Sequence, residues 1–151
     1  MSSMSGDLIQ LVYVSMATTT QLEDELRDIQ STAVSHNDPA DITGVLLYRS
    51  GRFIQLLEGA PERIDTLYES IMSDPRHRDV TLLVRRPAAA RSASAWSMGV
   101  LNLDGLDADF EPMFEHIREL GRASHEEADA ERANELIALM TATFAGFAKA
   151  A

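Results

Sequence analysis

From Leu8 to Ser15 the chain reads LIQLVYVS, apolar at both parities apart from Gln10, which predicts a strand in the interior of a sheet. Ile9, Leu11 and Tyr13 share one side of it. Thr20 and Glu23 then stand at capping-box spacing, and Leu22, Leu26, Ile29 and Ala33 recur at helical intervals, predicting a first helix to about Ser35. His36-Asn37-Asp38-Pro39 predicts its end, because the residue before a proline is pushed away from helical angles. Asp41 to Gly59, DITGVLLYRSGRFIQLLEG, is two strands joined at Ser50-Gly51, a hairpin. Pro61 starts a second helix with an apolar stripe of Ile64, Leu67, Tyr68, Ile71 and Met72, which stops near Asp74-Pro75. Val80 to Arg86 predicts a fourth strand, Pro87 to Ser94 a loop, and Trp96 to Leu103 a fifth strand with Trp96, Met98 and Val100 on one face. Phe110, Met113, Phe114 and Ile117 mark a third helix ending at Gly121. A last helix is predicted from Ser124, capped with Glu127, and carries Leu136, Ile137, Met140, Phe144 and Phe147.

The order of these elements predicts an α+β, ferredoxin-like βαββαββ fold: a five-stranded mixed sheet, two helices on one face, and a C-terminal helical pair. Residues 8–103 form the expected core domain, and residues 104–151 a helical extension capping the other sheet face. The groove between the first two helices is the natural ligand site.

One residue breaks the pattern. In the second strand of the hairpin, Phe53, Gln55 and Leu57 share a face, so a primary amide lies in an otherwise apolar row. Burying that amide without partners costs about 1–3 kcal/mol, so something must satisfy it.

Composition narrows the chemistry. A formal net charge of -11 disfavours nucleic acid and anionic membrane surfaces as partners. There are no cysteines, which excludes disulfides, thiolate metal sites and any adduct formed through a thiol; no metal is expected. The N-terminal MSSMSGDLIQ lacks the basic and apolar regions of a signal peptide, no apolar run approaches the roughly 20 residues of a membrane span, and a cytoplasmic location is expected.

Tyr13 in the first strand, Asn37 after the first helix, ITG at Ile42 to Gly44, FIQLLEG at Phe53 to Gly59 and WSM at Trp96 to Met98 together resemble the BLUF domain, a blue-light sensor using FAD. The resemblance covers roughly Ile9 to Leu103, and residues beyond it are similar to the C-terminal helices of short, single-domain members. It implies a flavin between the two helices, with Ile29 and Ile71 on its faces and Gln55 bridging it to Tyr13. It also implies that Asn37 bonds the pyrimidine end of the ring, that Arg76 and His77 lie near the cofactor, and that Trp96 and Met98 relay the signal, either one facing Gln55. The implied mechanism is light-driven electron and proton transfer from Tyr13 through Gln55. The chain departs from many relatives at Val14, where a polar residue is common, and at Ala33, where a serine is common.

Alone, each residue has a plainer reading. Tyr13 and Gln55 read as satisfied buried groups, Trp96 and Met98 as core, Asn37 as turn chemistry, and Arg76-His77 as a solvated loop. The joint pattern carries the sharper one. Two alternatives stay open: a flavin-dependent enzyme, against which stands the lack of a clustered catalytic constellation, and a colourless ferredoxin-like binding module. About 48 residues follow Leu103, too few for a cyclase or phosphodiesterase domain. The expectation is therefore a photoreceptor, not an enzyme, that signals through a protein partner or a homo-oligomer, with photochemistry that survives removal of Leu106 to Ala151.

Overall fold

The computed structural model describes residues 7–18, 22–122 and 130–150. Five strands form one sheet: β1 (Ile9–Ala17), β2 (Thr43–Arg49), β3 (Arg52–Gly59), β4 (His77–Pro87) and β5 (Gly99–Asn102), in the order β4-β1-β3-β2-β5. All neighbours are antiparallel except β2 and β5, so the sheet is mixed. The three interior strands are the ones whose sequences are apolar at both parities, as burial of both faces requires. β4 at the edge alternates exposed Arg78, Thr81 and Arg85 with buried or half-buried positions. At the β2–β3 turn, Ser50 and Gly51 take φ of 50° and 86°, the left-handed pair a two-residue hairpin demands and the reason a glycine stands there.

Four helices complete the fold: α1 (Leu22–Ala40), α2 (Pro61–Ser73), α3 (Glu111–Arg122) and α4 (Ala130–Ala150). α1 and α2 cover one face of the sheet, where Leu26, Ile29 and Ile64 pack on Ile9, Leu11, Tyr13, Leu46, Phe53 and Leu57. α3 and α4 cover the other, where Met113, Ile117, Leu136, Ile137 and Met140 pack on Val12, Val45, Leu47, Ile54 and Leu56. The sheet is thus the middle of three layers, with one core on each side.

Several boundaries differ from the sequence reading. α1 continues through His36–Pro39 and ends at Ala40, where Asp41 with its left-handed φ of 57° turns the chain out of the helix. Pro39 in the last turn removes the backbone donor that would otherwise bond the carbonyl four residues earlier, which weakens the helix just before it stops. α3 runs past Gly121 to Arg122. The proposed caps at Thr20 and Ser124 lie outside the described residues. β5 begins only at Gly99, so Trp96 and Met98 precede the strand and need not alternate as strand residues do. They face opposite ways: Met98 lies in the core under α1 and α2, and Trp96 packs against the core under α3 and α4.

Candidate functional site

Tyr13 on β1 and Gln55 on β3 are direct cross-strand partners and point to the α1–α2 face. The β1–β4 ladder slips at this point, Val12 opposing Val84 and Tyr13 opposing Leu82, an irregularity of the kind that re-aims a side chain. The Tyr13 hydroxyl donates to Gln55 Oε1, and Gln55 Nε2 donates to Met98 Sδ at 3.3 Å. Gln30 on α1 donates to the Met98 carbonyl at 3.4 Å, which ties the same residue to the helix layer. Tyr13 is fully buried and Gln55 nearly so. Burial holds the Tyr13 phenol well above its ordinary value, with the Tyr68 hydroxyl and the Asp74 carboxylate adding to the effect. The phenol is therefore a neutral donor at any physiological pH.

Gln55 and Met98 form the floor of a cavity of about 230 Å³ between the two helices. Ile29, Thr32 and Ala33 of α1 line one wall, and Thr66, Leu67, Ser70 and Ile71 of α2 the other. These recur at helical spacing, so each wall is one helix face. Asp74, Arg76 and His77 line the cavity where α2 passes into β4. The Arg76 guanidinium donates through Nε to both Asp74 oxygens at 3.0 Å and through Nη2 at 2.6 Å. That hydrogen bonding holds the Asp74 carboxyl below its ordinary value. His77 is buried, its Nδ1 2.9 Å from Ser15 Oγ and its ring 4.8 Å from that of Phe53. Burial pulls its pKa down to about 4, against a smaller upward pull from Asp74, so the ring is neutral near pH 7.

Of the residues singled out from sequence, Gln55, Ile29, Ile71, Arg76, His77 and Met98 line this one cavity, and Tyr13 lies behind it, hydrogen-bonded to Gln55. His77 opens β4 and does not lie in a solvated loop. Trp96 lies away from the cavity, its ring 4.7 Å from that of Phe144 on α4 and tilted 73° to it. Asn37 falls in the last turn of α1, and its side chain lies outside what the structure describes. The sequence reading missed Thr32, Thr66, Ser70 and Asp74 as wall residues. Ser70 lies on the same helix face as Leu67 and Ile71, and Asp74 caps that helix, a signal that an apolar stripe alone passes over.

The chemistry of this floor suits a flat, acceptor-bearing ring. The Gln55 amide nitrogen has two donor hydrogens and, among the described residues, one partner, the weakly accepting sulfur of Met98. Residues 8–99 match the family described as BLUF, sensors of blue-light using FAD. The chain belongs to the BLUF family. Its members use FAD as cofactor, and the orphan donor of Gln55 between Ile29 and Ile71 fits a flavin edge.

Photoactivated adenylate cyclase subunit alpha of Euglena gracilis is 40% identical over 91 residues, which are 60% of this chain and 9% of that protein. The chain spans 9% and 14% of the length of two such cyclase subunits that it matches. BlsA in its photo-activated state superposes with a TM-score of 0.73 at 26% identity, covering 89% of this chain and 94% of that one. The dark-state structure of BlrB, a BLUF protein, superposes with a TM-score of 0.68 at 25% identity, covering 91% and 98%. Residues 8–99 are therefore a blue-light sensor domain. No described helix is long and apolar enough to cross a membrane.

Proposed function

We propose that Tyr13 and Gln55 are the photochemical pair of this blue-light sensor, and that the light signal leaves the site as a reversal of the Gln55 amide. The observation that supports this reading is the chain of contacts from Tyr13 through Gln55 to Met98 at the cavity floor. A bound flavin supplies the blue absorption and, once excited, a one-electron oxidant. Tyr13 gives up its electron together with its phenolic proton, because burial makes the separate phenolate unfavourable. The proton leaves along the bond to Gln55 Oε1. Return of both to Tyr13 leaves the amide free to settle with Oε1 toward the cavity and Nε2 toward the phenol oxygen. Donor and acceptor have then exchanged at the ligand edge with no net chemistry. Ile29 and Ile71 would hold the ring between them, with Arg76 and His77 beside it and Asn37 toward its pyrimidine end.

We further infer that the output passes to a protein partner or to a second copy of the chain, in the cytoplasm. The acidic balance of -11 supports a partner other than nucleic acid or an anionic membrane. The deciding measurement is the absorption spectrum of the FAD-loaded protein in the dark, after blue light, and through recovery. A small red shift that reverses supports the reading. A flavin that bleaches without that shift favours redox enzymology instead.

A further inference from the structure

On the sheet face opposite the cavity, at the end of the hairpin away from its turn, a carboxylate is sealed from solvent. Glu58 is 0% exposed. Its Oε2 accepts from the Ser92 backbone N–H at 2.6 Å and from Gln10 Nε2 at 2.8 Å. Its Oε1 accepts from the Ala93 backbone N–H at 2.9 Å and from the Thr43 hydroxyl at 3.0 Å. Every partner donates, and a carboxylate is the one side-chain group that accepts at each of about four lone-pair sites and donates nothing. Two arginines close the network one bond further out. Arg86 donates to Gln10 Oε1 at 3.0 and 3.1 Å, and Arg91 donates to Thr43 Oγ1 at 2.8 Å and to the Glu58 carbonyl at 3.3 Å. β1, β2 and β3 therefore meet at one carboxylate, with β4 joined to it through Gln10, and the carboxylate grips the backbone of the loop leading to β5.

That loop passes from one core to the other. Met98 touches Gln55 on the cavity side, while Trp96, two residues earlier, packs on Phe144 of α4 on the far side. The loop is pinned at Ser92 and Ala93 by Glu58, at Trp96 by the Gly44 N–H on its carbonyl at 3.0 Å, and at Gly99 by pairing with Val45. We propose that Glu58 is a positioning residue for the light response. Its carboxylate fixes the start of residues 92–98, so that a change at the Gln55–Met98 contact is delivered to Trp96 and α4. Without it, slack in the loop absorbs the change. This role rests on the photosensor reading above.

Trp96 is the only tryptophan in the chain, so its accessibility reports directly on the far side of the loop. The test uses the full, FAD-loaded chain and reads two signals in parallel, the flavin absorption shift and the acrylamide quenching of Trp96, each in the dark and after blue light. Glu58→Gln sets amide hydrogens against one of the two backbone N–H groups whichever way the amide turns, whereas Glu58→Asp keeps the acceptor character. The wild type is expected to show both light responses. Glu58→Gln is expected to keep the dark flavin spectrum and its red shift while losing most of the Trp96 response, and Glu58→Asp to recover part of it. A Trp96 response of wild-type size in flavin-loaded Glu58→Gln overturns the proposal. Should that variant fail to fold, Thr43→Val removes one of the four donors more gently, and an undiminished Trp96 response there overturns it equally. A wild-type chain with no flavin shift overturns the photosensor reading first, and the positioning role with it.

Discussion

Gln55 is satisfied on one side by Tyr13 and left half-satisfied on the other by a sulfur, which is what makes it a sensor of whatever occupies the cavity. Gln55→Ala and Tyr13→Phe should each retain flavin, since neither forms the walls, and each should lose the reversible red shift in dark-minus-light absorption spectra. A normal shift in either variant would remove the pair from the mechanism. His77 makes a prediction about pH. Its pKa is about 4 in the fold against 6.5 ordinarily, so the unfolded chain takes up that proton first as pH falls. The stabilisation from a neutral His77 is whole above about pH 6.5 and is lost progressively down to about pH 4, by up to ~3 kcal/mol. Urea midpoints at pH 7.5 and pH 4.5 should therefore drop less in His77→Gln than in the wild type. An equal drop would mean that His77 protonates without cost in the fold.

At the scale of elements, β5 and α4 meet in close contact. A Cβ on Gly99 would lie 2.5 to 2.8 Å from three ring atoms of Phe144, closer than any side chain tolerates. Phe144 is itself held against Trp96, so it has little room to yield. Gly99→Ala should cost about 1–3 kcal/mol and lower the melting temperature by roughly 3–10 °C in a calorimetric scan. An unchanged melting temperature would show that α4 gives way easily. The hairpin was legible in sequence because Ser50-Gly51 carries its turn chemistry locally, and so were the helix faces with regular apolar spacing. The end of α1 was not, because a proline in the last turn of a helix and one just beyond it differ only in where the next residue turns the chain, here Asp41. Trp96 and Met98 were misassigned to one face for a similar reason: strand alternation holds only inside a strand, and both precede β5.

For the whole molecule, the C-terminal helices are half of the core. α3 and α4 bury Val12, Val45, Leu47, Ile54, Leu56, Leu83 and Val84 on the sheet, each worth about 1.5–3 kcal/mol when fully covered. The expectation that photochemistry survives removal of Leu106 to Ala151 runs against this packing. The shortened chain should instead aggregate or fail to hold flavin, read by size-exclusion chromatography with absorbance at flavin wavelengths. A monomeric, flavin-loaded truncation that still photocycles would restore the independence of the two parts.

The sequence by itself determined the elements and their order, because period-two and helical spacings, turn residues and caps act over a few neighbours. It also marked Gln55, since an amide in an apolar row is a local anomaly, whereas Tyr13, Ile29, Ile71, Arg76 and His77 were marked by the resemblance to the BLUF family. Only the tertiary structure decided which way Trp96 and Met98 face, that the Glu58 carboxylate is a buried hub, and which sheet residues α3 and α4 bury. Those depend on residues 34 to 82 positions apart meeting across the sheet, and no local spacing encodes such a meeting.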